Sequence, residues 1–130
     1  MHGDTLCTED RDYLAFREQV RNPLWQQAVL AKPLTERRQL AAVLRNESRM
    51  AGADKQDSIM DETATEVERV MQQAGVDLLI HGHTHRPARH PMVLAGQPAE
   101  RIVLGDWDRS GWKLRAEQGG SLTLMQFPIV

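Results

Sequence analysis

The stretch Leu79-Ile80-His81-Gly82-His83-Thr84-His85-Arg86-Pro87 decides how this chain folds, because a short apolar run ends there in a histidine-rich loop. Side chains two residues apart in an extended segment point the same way, which would bring His83 and His85 together. Gly82 permits a tight turn, and Pro87 stops a strand or helix from continuing. The pattern predicts two imidazoles at the end of a buried strand, where α/β sheets carry their sites. A polar surface loop is the alternative.

The sequence around this stretch predicts an α/β fold with a mixed sheet. Upstream, Thr63 and Glu66 form a capping-box pattern, and apolar residues recur at helical spacing until Gly75. Residues 76–80 follow as a strand, apolar except for Asp77, as in strands buried on both faces. Downstream, short strand-like runs are separated by turns, at residues 92–94, 101–104, 112–116 and 121–127. We expect the last three to form an antiparallel meander.

A block of three helices is predicted in the first half of the chain. Thr8 or Asp10 can cap the first, and Asn22-Pro23 ends it and opens a second. Thr35 can cap a third helix, which we expect to end at Gly52.

The third of these helices carries arginines at positions 37, 38, 45 and 49. Guanidinium groups grouped in this way are either a solvated helix face or a site for an anionic group such as a phosphate. Ser48 and Lys55 flank the same turn and could add a hydroxyl and an ammonium.

The composition is that of an ordinary globular chain, with 41% hydrophobic and 26% charged residues among 130. The formal net charge of −2 gives no overall attraction to nucleic acid, and we expect no nucleic-acid partner. Cys7 is the only cysteine, which excludes an intrachain disulfide and fits a reducing cytoplasm. No apolar run approaches the ~18–20 residues of a membrane span, so a soluble chain facing the cytoplasm is expected.

His2-Gly3-Asp4 is a second candidate site, because a histidine and a carboxylate flank a glycine that permits close approach of another segment. The alternative is that a side chain so near the terminus frays into solvent. We expect His81 to pack beside the end of the strand, and Cys7 to be a small buried hydrophobic residue.

Three motifs carry a resemblance to a known family. Gly82-His83-Thr84-His85 resembles the final metal loop of the calcineurin-like metallophosphoesterases, and His2-Gly3-Asp4 resembles that superfamily's preceding single-histidine loop. With residues 2–8, 81–87 and Val103-Leu104-Gly105-Asp106-Trp107 taken together, the chain looks like the UDP-2,3-diacylglucosamine pyrophosphohydrolases of lipid A biosynthesis. The motifs occur in order across essentially all 130 residues.

The resemblance implies both a fold and an activity. The chain would be the C-terminal half of a metallophosphoesterase sandwich, a mixed sheet with helices, into which residues 9–56 are inserted as a helical lid. The activity would be hydrolysis of the pyrophosphate bond of UDP-2,3-diacylglucosamine, which yields UMP and 2,3-diacylglucosamine 1-phosphate (lipid X). The protein would sit peripherally on the cytoplasmic face of the inner membrane.

The resemblance also implies the residues of the site. His2 and His83 would bind one Mn²⁺ and His85 a second, and His83 would lie close to the substrate phosphate. Three residues match substrate contacts in the family: Asp10, Ser48 and Lys55. Apolar residues of the lid would shelter acyl chains or simply pack: Leu24, Trp25, Leu40 and Leu44.

The family's N-terminal half has no counterpart in this chain. That half supplies an Asp-x-His pair, a bridging aspartate and a Gly-Asn-Arg-Asp loop, whereas two octahedral ions need roughly six or more protein donors. We therefore expect the 130-residue chain alone to be a poor catalyst. Met1 directly before the histidine loop suggests a mis-assigned start codon, a truncated gene or an isolated fragment. A different metallophosphoesterase and a metal-binding module without turnover remain as alternatives.

Overall fold

The chain divides into two units, which are described separately. The structure is a computed structural model that describes residues 1–53 and 61–129. The first unit comprises Met1–Cys7 and Asp61–Val130, and the second comprises Thr8–Met60. In chain order the elements are a 3₁₀ turn (Asp4–Leu6), helices α1 (Arg11–Arg21), α2 (Pro23–Leu30), α3 (Leu34–Ala53) and α4 (Ala64–Ala74), and strands β1 (Leu78–His81), β2 (Ala88–Leu94), β3 (Gln97–Val103), β4 (Ser110–Ala116) and β5 (Leu122–Pro128).

A three-stranded mixed sheet is the centre of the first unit, with strand order β1-β3-β2. Strands β1 and β3 run parallel, with Leu79 opposite Arg101 and Ile80 opposite Ile102, whereas β2 and β3 are antiparallel. The predicted α/β class with a mixed sheet is therefore confirmed. The parallel pairing places the loop after β1 at the same sheet edge as the loop after β3.

The predicted meander of the last three strands is wrong. Strand β3 lies between β1 and β2, while β4 and β5 form a separate two-stranded sheet. The hydrophobic runs indicated which residues are extended but not which strands pair, because pairing depends on contacts distant in sequence. Placing β3 in the middle buries Ile102 and Val103 almost completely, at 0% and 1% exposure.

The turn between β2 and β3 is shorter than the gap between the predicted strand runs at residues 92–94 and 101–104. Ala95 and Gly96 form the turn with φ of 51° and 79°, and both signs suit a two-residue hairpin turn. The pairing begins at Leu94 with Gln97, so β3 starts well before residue 101. Pro98 is tolerated there because β1 does not pair with β3 until Glu100.

Helix α4 and strand β1 form the core of the first unit. Leu6, Val67, Met71 and Leu79 pack together and are buried. Strand β1 begins at Leu78, and only its alternate residues are fully buried, so the prediction of a strand over residues 76–80 buried on both faces is wrong. Cys7 is buried, as predicted.

The ends of α4 follow the sequence signals only in part. Gly75 ends the helix in the left-handed conformation, with φ of 64°, as predicted. Thr63 occupies the N-cap position, but its side chain makes no capping hydrogen bond, so the capping box is wrong. Glu66 instead accepts two hydrogen bonds from the Arg69 guanidinium, which removes it from the helix N-terminus.

The second unit contains helices α1, α2 and α3. Asp10 caps α1 through a hydrogen bond from Tyr13 N to Oδ1 (3.1 Å), and Asn22 caps α2. Helix α3 begins at Leu34 and passes through Gly52, so the predicted cap at Thr35 and the predicted end at Gly52 are both wrong. One glycine costs an α-helix only about 1 kcal/mol, which a long helix tolerates.

The role of this unit as a lid stays a prediction, and Lys55 lies outside the described residues. Within those residues, the helices are all too short or too polar to cross a membrane.

Candidate active site

The loop after β1 has an unusual backbone at both histidines. His83 and His85 adopt the left-handed conformation, with φ of 74° and 55°. Residues with a Cβ rarely adopt this conformation. Because an extended backbone has negative φ, the loop is not the extended segment from which we predicted that the two side chains point the same way. Sequence periodicity missed this because the strand ends at His81.

A direct contact joins this loop to the N-terminal histidine loop. Gly82 N donates a hydrogen bond to His2 O (2.9 Å), and the Met1 amine donates to Ile80 O (2.9 Å). Gly3 lies against His81, since a Cβ added to Gly3 would be 2.8 Å from His81 Nδ1. The predicted close approach at this glycine is therefore confirmed.

The contact brings the imidazoles of His2 and His83 together. Their ring centroids are 5.0 Å apart, and the rings meet edge to face at 71°. Two imidazoles that bind one ion at about 2.0–2.1 Å per nitrogen have centroids roughly 4.5–5.5 Å apart. The pair therefore has the spacing of two donors for a single ion, and the same spacing is common in aromatic packing.

His85 has a different neighbour. Its Nδ1 lies 3.9 Å from Asp106 Oδ2, and both side chains are about half exposed. In residues 1–53 and 61–129, no group of three or more His, Cys, Asp or Glu side chains is placed to hold a metal ion. The histidines thus offer two adjacent donors and one separate donor, which does not fit a complete two-manganese site within the described part of the chain.

A buried charged cluster lies beneath the histidine loop, and sequence reasoning missed its carboxylate, Glu62. The Glu62 side chain is only 2% exposed, and its Oε2 lies 2.7 Å from Arg101 Nη1. Its Oε1 accepts a hydrogen bond from Thr84 Oγ1 (2.9 Å) and lies 3.3 Å from His81 Nε2. A single glutamate in a polar stretch gives no periodic signal, so only the tertiary structure identifies it.

His81 is the fully buried member of this cluster, which agrees with its predicted packing role. Burial lowers the pKa of His81, while the Gly82 carbonyl and the Glu62 carboxylate act in the opposite direction. The ring nitrogen Nδ1 of His81 lies 2.9 Å from Gly82 O. Its Nε2 lies 3.4 Å from Arg101 Nη1 and 3.3 Å from Glu62 Oε1.

A cavity of about 270 Å³ opens beside the same cluster. Glu62 and Arg101 line it together with Asp61, Arg86 and His90, but His2, His83 and His85 do not. Arg86 Nη1 donates to Asp61 Oδ2 (2.6 Å), so the wall of the cavity contains paired charges. The cavity is therefore separate from the histidine pair.

The predicted substrate contacts of the second unit are on its helices. Asp10 serves as the N-cap of α1, and Ser48 is exposed on α3.

Comparison with known proteins agrees with the resemblance seen in the motifs. The chain is 63% identical over 120 residues to a UDP-2,3-diacylglucosamine hydrolase of Cellvibrio japonicus, an alignment that covers 92% of the chain and 50% of the relative. It is 52% identical over 128 residues to one from Chromohalobacter salexigens, covering 98% and 52%. It is 51% identical over 130 residues to one from Pseudomonas syringae pv. tomato, covering 100% and 52%. No protein-family model matches the chain.

The chain thus spans about half the length of the curated relatives that it matches. Identity above one half, over nearly every residue of the chain, requires common descent. This chain is therefore a homologue of the UDP-2,3-diacylglucosamine hydrolases, and its sequence corresponds to about half of such a protein.

Proposed function

We propose that this chain contributes half of an enzyme that hydrolyses the pyrophosphate bond of UDP-2,3-diacylglucosamine, giving UMP and 2,3-diacylglucosamine 1-phosphate. The observation that carries the proposal is the identity of 51–63% to relatives named for that substrate. The placement of His2 beside His83 supports it, because two loops distant in sequence supply adjacent imidazoles at a sheet edge.

We further propose that the complete site uses two Mn²⁺ ions, with His2 and His83 as donors to one and His85 as a donor to the other. Such ions, when bound, neutralise charge on phosphoryl oxygens and lower the pKa of a bound water. His83, adjacent to His2, would also contact the substrate phosphate. Asp106 beside His85 supports this role, because metal-binding histidines commonly point their second nitrogen at a carboxylate.

The second unit would act as the helical lid of a metallophosphoesterase sandwich, over residues 9–56, with Asp10, Ser48 and Lys55 contacting the substrate. Apolar side chains exposed on its helices support a role toward acyl chains. Leu24, Leu30 and Val43 are 74%, 66% and 54% exposed. With an acylated substrate, the protein would work at the cytoplasmic face of the inner membrane as a peripheral protein.

A complementation experiment tests the proposed activity. The 130-residue chain is co-purified with the part of the Cellvibrio japonicus relative that it does not match, and UMP release from UDP-2,3-diacylglucosamine is followed with Mn²⁺ present. We expect turnover from the mixture, at least about a hundredfold less from either half alone, and loss of turnover on His83→Ala. Turnover of bis(p-nitrophenyl) phosphate in preference to the acylated nucleotide would contradict the proposed substrate.

A further inference from the structure

The two left-handed histidines need something that holds them. This conformation raises the free energy of a residue that has a Cβ. It persists only where surrounding contacts fix the backbone. His83 and His85 are both in this state, with φ of 74° and 55°, and they are separated only by Thr84. The contacts of Thr84 are therefore among those that can fix the shape of the loop.

Thr84 is held by a carboxylate from a distant segment. Its Oγ1 donates to Glu62 Oε1 (2.9 Å), and its backbone N donates to Gly82 O (3.0 Å). Glu62 immediately precedes Thr63, the N-cap of α4, so the bond connects the histidine loop to the start of that helix. With 2% exposure, the carboxylate has almost no competing water.

The carboxylate is itself fixed by the sheet. Arg101 on β3 contacts Glu62 Oε2 (2.7 Å), and the Arg101 side chain is 16% exposed. The same Nη1 lies 3.4 Å from the Nε2 of His81, the last residue of β1. Buried charge pairs cost desolvation and often add little stability over apolar packing, so stability alone does not account for this pair, whereas the geometry that it imposes does.

We propose that Glu62 is a positioning residue, which holds His83 and His85 in their left-handed conformation through Thr84 and is itself oriented by Arg101. We call this contact, from Arg101 through Glu62 to Thr84, the clamp. The use of the two imidazoles as ligands rests on the proposed function, whereas the clamp concerns only the backbone conformation of the loop. Glu62 is not part of the motif His81–Pro87, and it lies outside the residues that carried the family resemblance.

The test compares isotope-labelled 130-residue chains by NMR. Thr84→Val keeps the shape of the side chain and removes its hydroxyl, Thr84→Ser keeps the hydroxyl, and Glu100→Gln removes a carboxylate–arginine pair elsewhere on the sheet. The φ angles of residues 83 and 85 are measured from three-bond couplings and chemical shifts. We expect positive φ in the wild-type, Thr84→Ser and Glu100→Gln chains, and loss of positive φ at both histidines in Thr84→Val. Retained positive φ in Thr84→Val would overturn the proposal, as would its loss in Glu100→Gln.

If the Thr84→Val variant does not fold, a second measurement on the wild-type chain tests the proposal. The Thr84 hydroxyl proton is expected to exchange slowly and to show a nuclear Overhauser effect to Glu62. Exchange as fast as that of an exposed threonine would overturn the clamp.

Addition of Mn²⁺ to the same samples separates the clamp from the proposed function. Paramagnetic broadening of His2 and His83 in the wild type, together with unchanged φ in Thr84→Val, would support the function and contradict the clamp. Loss of positive φ in Thr84→Val with no wild-type broadening would support the clamp and contradict the proposed role of His2 and His83 as a pair of metal donors in this chain. With both correct, we expect Thr84→Val to bind Mn²⁺ roughly 10–100-fold more weakly, as is typical when the support of a ligand is removed.

Discussion

The imidazole rings of His2 and His83 meet edge to face with their centroids 5.0 Å apart, although they come from the two separate segments of the first unit, Met1–Cys7 and Asp61–Val130. The hydrogen bond from Gly82 N to His2 O fixes the two backbones at this point. Because the contact is made by the backbone, removal of either imidazole should leave the other in place. Each ring can therefore be tested separately.

Replacement of His2 by alanine tests whether the two rings share an ion. We expect His2→Ala to weaken Mn²⁺ binding at His83 by roughly tenfold or more, because a pair of donors becomes a single donor. The measurement is the Mn²⁺ concentration that half-broadens the His83 ring resonances. His90→Ala is the matched control, since His90 lines the separate cavity and should have no effect. Equal affinity in the His2→Ala chain would mean that His2 is not a ligand.

The Asp106 carboxylate should bias the tautomer of His85. The carboxylate lies 3.9 Å from Nδ1 and favours a proton there. The lone pair of Nε2 is then available to bind a metal ion. Both side chains are about half exposed, so water screens the interaction and Asp106→Asn should change the tautomer ratio by less than a factor of about five. Imidazole ¹⁵N chemical shifts report the ratio, with Asp108→Asn as control. A shift toward the Nδ1–H tautomer in Asp106→Asn would contradict this assignment.

Local signals in the sequence predicted much of the helical structure. Asp10, Asn22 and Gly75 act within one turn of their own positions, by capping or by adopting a left-handed backbone, and each does so in the structure. The capping box at Thr63 failed for a local reason. Arg69, one turn along the same helix, binds the Glu66 carboxylate instead.

The pairing of β1 with β3 and the clamp at Glu62 could not be read in the same way. Both depend on groups that meet only after the chain has folded, such as Arg101 beneath the histidine loop. The candidate ligands were found from motif residues, and the family resemblance, rather than any local signal, correctly predicted that the loops of His2 and His83 lie together. It did not show that the backbone at His83 and His85 is left-handed.

Gly105 is required for packing rather than for a positive φ. A Cβ added there would lie 2.3 Å from Trp112 Cδ1, which is too close for any small adjustment of the ring. We expect Gly105→Ala to lower the free energy of unfolding by about 1–3 kcal/mol, as overpacked sites do. Gly119→Ala is the control, since its Cβ would meet no described atom within 4 Å. Urea denaturation that gives the same midpoint for both variants would refute the packing role.

The pair formed by Glu100 and Arg89 should make stability depend on pH in the acidic range. Arg89 donates through Nε and Nη2 to the two carboxylate oxygens of Glu100, at 2.7 Å each. These hydrogen bonds lower the pKa of Glu100 in the folded state below its ordinary value. The unfolded chain therefore takes up this proton at a higher pH than the folded chain does.

The contribution of Glu100 is thus fully present above the ordinary glutamate pKa and is lost as the pH falls through the lowered folded value. We expect the difference in unfolding free energy between wild type and Glu100→Gln to be largest near pH 7 and to shrink as the pH is lowered from about 4.5. Urea denaturation at a series of pH values measures it, with Glu68→Gln on the exposed face of α4 as control. A difference that grew as the pH fell would show that protonated Glu100 is the form that stabilises the fold, which is the opposite of what the fork geometry predicts.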